Sequence, residues 1–184
     1  MAVAIASTVA LQNIMRFIAA IIATIPLFHF WLHALLPWWR RFPLVLYVWG
    51  LGLGIFSIVF FEWIVPSSQI FQPSSSLKIL GWLFVLVSPP VALWSISTLG
   101  VKRFFVWGVL QPESVSNTRE ESGPFRYLPH PAYISYLLAA IGLVLASGQV
   151  FALALLIYML IVTPIVIWLE EKELETRFKK PILK

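Results

Sequence analysis

The sequence predicts an all-α integral membrane protein of about five transmembrane helices, and three observations lead there. Hydrophobic residues make up 60% of the 184 positions against 11% charged, with a mean hydropathy of +0.89, far outside the soluble globular range. The apolar residues fall into runs long enough to cross a bilayer. The basic residues between those runs fall almost wholly on one side, as topology signals do. No stretch remains for a separate soluble domain, so residues 1–184 read as one membrane domain. Its first part, 1–99, holds three spans, and 100–184 holds a polar loop, two more spans and a polar tail.

Residues 1–11 are apolar but carry no basic leader, since Arg16 follows them, and a cleaved signal peptide is not expected. The spans are predicted at 17–36, 43–65, 77–99, 132–147 and 150–169. The fourth is short and is joined to the fifth by Gly148-Gln149 alone, which predicts a tight antiparallel C-terminal hairpin. In this layout, of the 13 lysines and arginines, all but Arg16 and Lys78 lie on one side. The positive-inside rule then puts the N-terminus outside and the loop 100–130 and the C-terminus in the cytoplasm.

The composition also narrows the partners. With no cysteine there is no disulfide framework and no thiolate metal site. The net charge of +5 is scattered beside hydrophobic runs and forms no stripe, so the bilayer is the expected partner and nucleic acid is not.

Within the first three spans, His29 and His33 stand four apart on one helix face, a spacing that haem or metal ligation also uses. Packed or interfacial histidines are the reading taken, on a helix expected to lie away from the functional site, and no metal is expected. Gly50, Gly52 and Gly54 form a small-residue ridge that admits a close neighbour, either within the chain or at a dimer seam. Pro89-Pro90 inside the third span predicts a kink.

The stretch Ser122-Gly123-Pro124-Phe125-Arg126-Tyr127-Leu128-Pro129-His130-Pro131-Ala132-Tyr133 departs from simple greasiness. Pro129 and Pro131 push Leu128 and His130 toward extended backbone, so His130 is presented at the entry of the fourth span. Pro131 suits the first helical position, and the unpaired N–H groups behind it can seat a ligand carboxylate. Beyond the fifth span, Glu173 with Arg177, Glu175 with Lys179 and Leu174 with Phe178 are i,i+4 pairs that carry the helix on to about Pro181. Glu170 and Glu171 then sit at the membrane surface beside the entry of the fourth span. The plainer readings are a solvated charged helix end and an ordinary proline-rich helix entry.

Taken in order, Gly123-Pro124-Phe125, His130-Pro131-Ala132-Tyr133 and Glu170-Glu171 with Leu174 resemble the signature of one superfamily of integral membrane enzymes. That superfamily holds the isoprenylcysteine carboxyl methyltransferases and the phospholipid methyltransferases, and the resemblance covers about residues 100–178. It implies S-adenosylmethionine as cofactor, a cofactor pocket on the cytoplasmic side, and in-line methyl transfer to a lipid-borne or lipidated acceptor without a metal. It further implies cofactor contacts from Asn117, Thr118, Arg119, Glu120, Phe125, His130, Pro131, Ala132, Tyr133 and Glu170.

Glu170 would meet the cofactor's amino group or ribose hydroxyls, and Tyr133 and Phe125 would offer aromatic faces to its sulfonium. Arg126 is the candidate partner of a substrate carboxylate, with Arg103 and Arg177 as alternatives; Arg126 and Glu170 are the residues expected to carry the chemistry. The remaining demand on the protein is orientation in a water-poor pocket.

Three positions depart from the pattern: Pro129 stands where an arginine is usual, Phe125 where a tyrosine is, and Val166 where prenylcysteine enzymes carry an arginine. The prenylcysteine carboxylate is therefore in question, and the acceptor is open among a lipid-borne carboxylate, amine or thiol. A sterol-reductase-like NADPH enzyme and a non-catalytic membrane scaffold are the other classes, and the oligomeric state is left open.

Overall fold

A computed structural model describes the backbone of residues 2–66, 68–115 and 118–179, and the side chains of 10–177 within those ranges. Five helices dominate it: α1 (Ala2–Ala34), α2 (Pro43–Val59, continued by a π-helical turn at Phe60–Ile64), α3 (Ser75–Leu99), α4 (Pro131–Ser147) and α5 (Val150–Lys179). Among the described residues the rest is short helical turns and loops, with one isolated bridge between Gln69 and Gln149. The stretches Ala10–Ala34, Pro43–Ile64, Ser75–Leu99 and Val150–Arg177 are long and apolar enough to cross a membrane. With 17 residues, α4 rises about 26 Å, close to the ~30 Å of a hydrocarbon core. The chain is a multi-pass integral membrane protein.

Packing follows from lipid being the solvent. Hydrophobic burial does not drive helices together in a bilayer, so close approach of small residues must. The core accordingly joins Ala19, Ala20 and Ala23 of α1, Ala139 and Ala140 of α4 and Ala152 of α5, with Leu143, Phe151, Leu155 and Met159 filling between them. The tightest seam runs between α3 and α4. A Cβ added at Gly81 would sit 2.5 Å from the Ala146 nitrogen and 2.7 Å from the Gly142 oxygen. Helices α2 and α3 form the flanks, and their outer residues, such as Leu44, Leu51, Ile79 and Leu86, remain exposed for the acyl chains.

The predicted glycine ridge does only part of what its pattern advertises. Gly50 faces the Phe28 ring on α1, where a Cβ would come within 2.9 Å, whereas Gly52 and Gly54 have nothing within 4 Å. Sequence spacing identifies a thin helix face but not which neighbour reaches it. Pro89 and Pro90 lie inside α3, and the helix runs on through both.

At one end of the bundle Gly148 (φ +62°) turns α4 into α5, as the two-residue connection predicts. The carbonyl of Gly148 accepts from the N–H of Ile70 at 2.8 Å, and Val150 N–H donates to Ser68 at 3.0 Å, so the 68–71 strap closes this end. Buried Arg16 sits here too, bonding the Val65 carbonyl at 2.9 Å and lying 3.4 Å from Glu62. The other end collects the start of α2, the ends of α1, α3 and α5, the start of α4 and the connection 100–130. Arg40, Arg103, Arg119 and Arg177 all lie there.

The seam predicts two substitutions of opposite outcome. Gly142→Leu forces a side chain into backbone atoms that have no room to yield, and its unfolding midpoint in detergent should fall by an amount equivalent to at least the ~1–3 kcal/mol of ordinary overpacking. Gly54→Ala should stay within about 0.5 kcal/mol of the parent in the same denaturation.

Candidate functional site

The connection between α3 and α4 is built to lie against the end of the bundle. Val106 takes a left-handed backbone (φ +58°), a strained corner for a β-branched residue, and is held there by burial with Leu110 among Leu32, Leu36 and Trp39. Gly123 (φ +54°) opens a 3-10 turn, Gly123–Arg126, where a Cβ would strike the Thr98 hydroxyl on α3. This contact seats Phe125 at the rim. His130 then has the extended φ of −133° that its proline neighbour favours, and Pro131 is fully buried at the first position of α4. Its backbone fixed on both sides, the His130 side chain is only 12% exposed.

The last turns of α5 supply the facing wall. Glu170, Glu173, Leu174 and Arg177 recur on one helix face at the i,i+3,i+4,i+7 spacing, and Glu171 stands beside them. Glu171 accepts from both terminal nitrogens of Arg119, at 3.0 and 2.8 Å, and from His130 Nε2 at 2.8 Å. Glu173 accepts from Arg40 at 3.2 Å and lies 3.8 Å from Arg177, which itself donates to the Gly108 carbonyl at 2.9 Å. Arg103 donates to the Thr118 carbonyl at 2.8 Å and pairs with Glu120 at 3.4 Å. Glu120 also accepts from the Ser122 hydroxyl at 2.6 Å and from its N–H at 3.2 Å, and these two bonds, with Arg103, hold its pKa below the usual carboxylate value.

Between these walls lies a cleft of about 100 Å³, open to solvent and bounded by Leu99, Arg103, Phe125, His130, Glu170 and Arg177 among others. Its carboxylates are not equivalent. Glu120, Glu171 and Glu173 each have an arginine partner. Glu170 has none; its nearest ion-pair partner is His130 Nδ1 at 3.7 Å, and its buried Oε2 makes no hydrogen bond among the described residues. Glu170 feels the charge of Arg177 and lies against Tyr133 but is ion-paired with no arginine among the described residues, and its unsatisfied oxygen beside an aromatic rim is a seat for a cation. The start of α4, which no side chain caps, leaves N–H groups for an anion.

Of the residues singled out in the sequence, Arg119, Glu120, Phe125, His130 and Glu170 border this cleft. Thr118 is exposed and offers its carbonyl to Arg103, and Asn117 lies outside the described residues. Pro131 and Tyr133 are buried behind His130, with the two rings 5.9 Å apart, and Ala132 lies between them in sequence. Arg126 is exposed and borders the neighbouring outer groove along 119–129, so the structure does not bring it to the cleft. Glu173 with Arg177 pairs as predicted; the other two tail pairs and the helix end near Pro181 lie outside the described side chains.

Two features went unread in the sequence. Arg40 reaches Glu173 from a distant part of the chain, which no local pattern signals. The expectation that the α1 histidines lie away from the site is overturned: the His29 ring packs edge-on to Tyr133 at 5.7 Å. The helix long enough to span runs down to the same end as α4, and that brings them together.

The fold is that of a polytopic helical membrane protein with a charged cleft, open to solvent, at the entry of its C-terminal hairpin. The chain belongs to the phospholipid methyltransferase family, which it matches over residues 77–181, from α3 to beyond the end of α5. It is an S-adenosylmethionine-dependent membrane methyltransferase. Neither the curated proteins nor the solved structures contain a match to it.

The cleft residues fit that cofactor: Glu170 suits its cationic groups, and the uncapped start of α4 suits its carboxylate. A charge-assisted hydrogen bond contributes about 1.5–3 kcal/mol, so Glu170→Ala should weaken S-adenosylhomocysteine binding about 10- to 100-fold in isothermal titration. Arg126→Ala, outside the cleft, should bind within about threefold of the parent.

Proposed function

We propose that the chain methylates the amine of a membrane lipid, with the cofactor held by Glu170, His130, Phe125 and the 118–120 loop, and the acceptor arriving from the bilayer side. When bound, S-adenosylmethionine supplies an electrophilic methyl group on a sulfonium sulfur. The chain's own task is to orient the nucleophile, exclude water and balance charge.

The charge state of the cleft carries the choice of an amine over a carboxylate. Val166, in the position where prenylcysteine enzymes carry an arginine, is 0% exposed and packed into the bundle. The arginines suggested as substitutes are engaged, Arg103 with Glu120 and Arg177 with Glu173, and Arg126 stands outside the cleft. A carboxylate acceptor would meet Glu170, the cleft carboxylate without an ion-paired arginine among the described residues. An ammonium finds the opposite charge there.

The gathering of Arg40, Arg103, Arg119 and Arg177 at the cleft end supports a cytoplasmic cleft with the N-terminus outside. A reporter enzyme fused after Lys184 should then be active only in the cytoplasm, and activity on the outer side would overturn this orientation.

The acceptor is tested by incubating the reconstituted protein with methyl-labelled cofactor and vesicles. Label should enter phosphatidylethanolamine and should not enter phosphatidylcholine, whose nitrogen has no proton to lose. Label appearing in a farnesylcysteine ester and not in the amine lipid would reassign the acceptor to a carboxylate.

A further inference from the structure

The family match begins at residue 77, yet α1, outside it, lays a histidine against the site. The His29 ring meets Tyr133 at 5.7 Å, and Glu170 is close enough to act on it electrostatically. The Ile25 carbonyl lies 2.9 Å from Nδ1, and a carbonyl only accepts, so Nδ1 carries the proton and Nε2 keeps its lone pair. Among the described residues no hydrogen bond is made to Nε2. The titratable groups facing His29 are Tyr133 from α4, Glu170 from α5 and His33 one turn along α1, which in turn feels Arg177. An ionisable side chain within a spanning helix is costly and belongs by default to a functional site.

Methyl transfer to a lipid amine has a requirement that the cofactor-binding residues do not meet. At neutral pH the headgroup is an ammonium, and an ammonium has no lone pair with which to attack. Of the groups near Glu170, Glu171 is occupied by Arg119 and His130. Beside Glu170, His29 is an imidazole packed on Tyr133 with an uncommitted Nε2 lone pair.

We propose that His29 is the general base of the reaction, its Nε2 taking one proton from the lipid ammonium while Glu170 retains the cation. The freed nitrogen pair forms the N–CH3 bond, the carbon–sulfur bond breaks with its electrons passing to sulfur, and the sulfonium becomes a neutral thioether. The product amine keeps its remaining protons and one positive charge; the proton on His29 returns to solvent. This role rests on the amine reading above.

The test uses the reconstituted protein, phosphatidylethanolamine vesicles, and a second lipid whose headgroup carries a fluorinated amine that is neutral at pH 7. His29→Gln should bind S-adenosylhomocysteine within about threefold of the parent. Its turnover on phosphatidylethanolamine at pH 7 should fall by about 100-fold, within the range general-base catalysis contributes, and the deficit should shrink as rising pH deprotonates the headgroup. On the neutral amine, parent and variant should turn over at similar rates, which a merely structural loss would not produce.

A deficit equal on both lipids and at every pH, or no deficit, would overturn the role of His29 alone. A parent inactive on both amine lipids would overturn the amine reading and the base with it. Should His29→Gln not fold, the parent decides: its acid limb in the pH–turnover profile must be present with phosphatidylethanolamine and absent with the neutral amine, and an identical limb for both refutes the proposal.

Discussion

The cleft depends on one junction, where the Glu171 carboxylate accepts from both terminal nitrogens of Arg119 and from His130 Nε2. Three segments meet at that carboxylate: the polar connection, the entry of α4 and the end of α5. Charge-assisted, two-pronged bonds of this kind fix geometry as well as contribute energy. Among the described residues the loop carrying Arg119 and Glu120 is otherwise held by Arg103 within the connection and by the Gly123 contact on α3. The junction also explains the division of labour in the acid pair, since Glu171 is consumed in holding the site together and Glu170 stays available to a ligand.

The junction can be this exact in position because the bundle beneath it is stiff. A glycine seam brings the backbones of α3 and α4 into close approach, small residues join α1, α4 and α5 in one core, and the Gly148 turn with the 68–71 strap pins the hairpin at its far end. Much of the lipid-facing surface is on α2 and the outer side of α3, which carry none of the carboxylates of the cleft.

Much of this was legible beforehand, for physical reasons. Spans follow from hydropathy because a bilayer forbids unsatisfied backbone, and the hairpin follows from a two-residue connection. His130 was legible because prolines on both sides dictate its backbone, and Glu170 because the spans it joins are antiparallel partners. Contacts between remote segments were not. The Arg40 link to Glu173 and the approach of His29 to Tyr133 depend on which face α1 turns toward the hairpin, and a helix that is apolar nearly all round does not encode that choice in its periodicity. The ridge at Gly50, Gly52 and Gly54 shows the same limit: its spacing is real, but only Gly50 has a neighbour to meet.

The central claim, that the end of α5 and the entry of α4 form the seat of a methyl donor, is tested most directly by titrating the detergent-purified parent protein with S-adenosylhomocysteine and, separately, with NADPH. Saturable binding of S-adenosylhomocysteine at one site per chain, with no heat from NADPH, is the predicted result. Binding of NADPH in place of S-adenosylhomocysteine, or of neither by a protein that melts cooperatively, would contradict it.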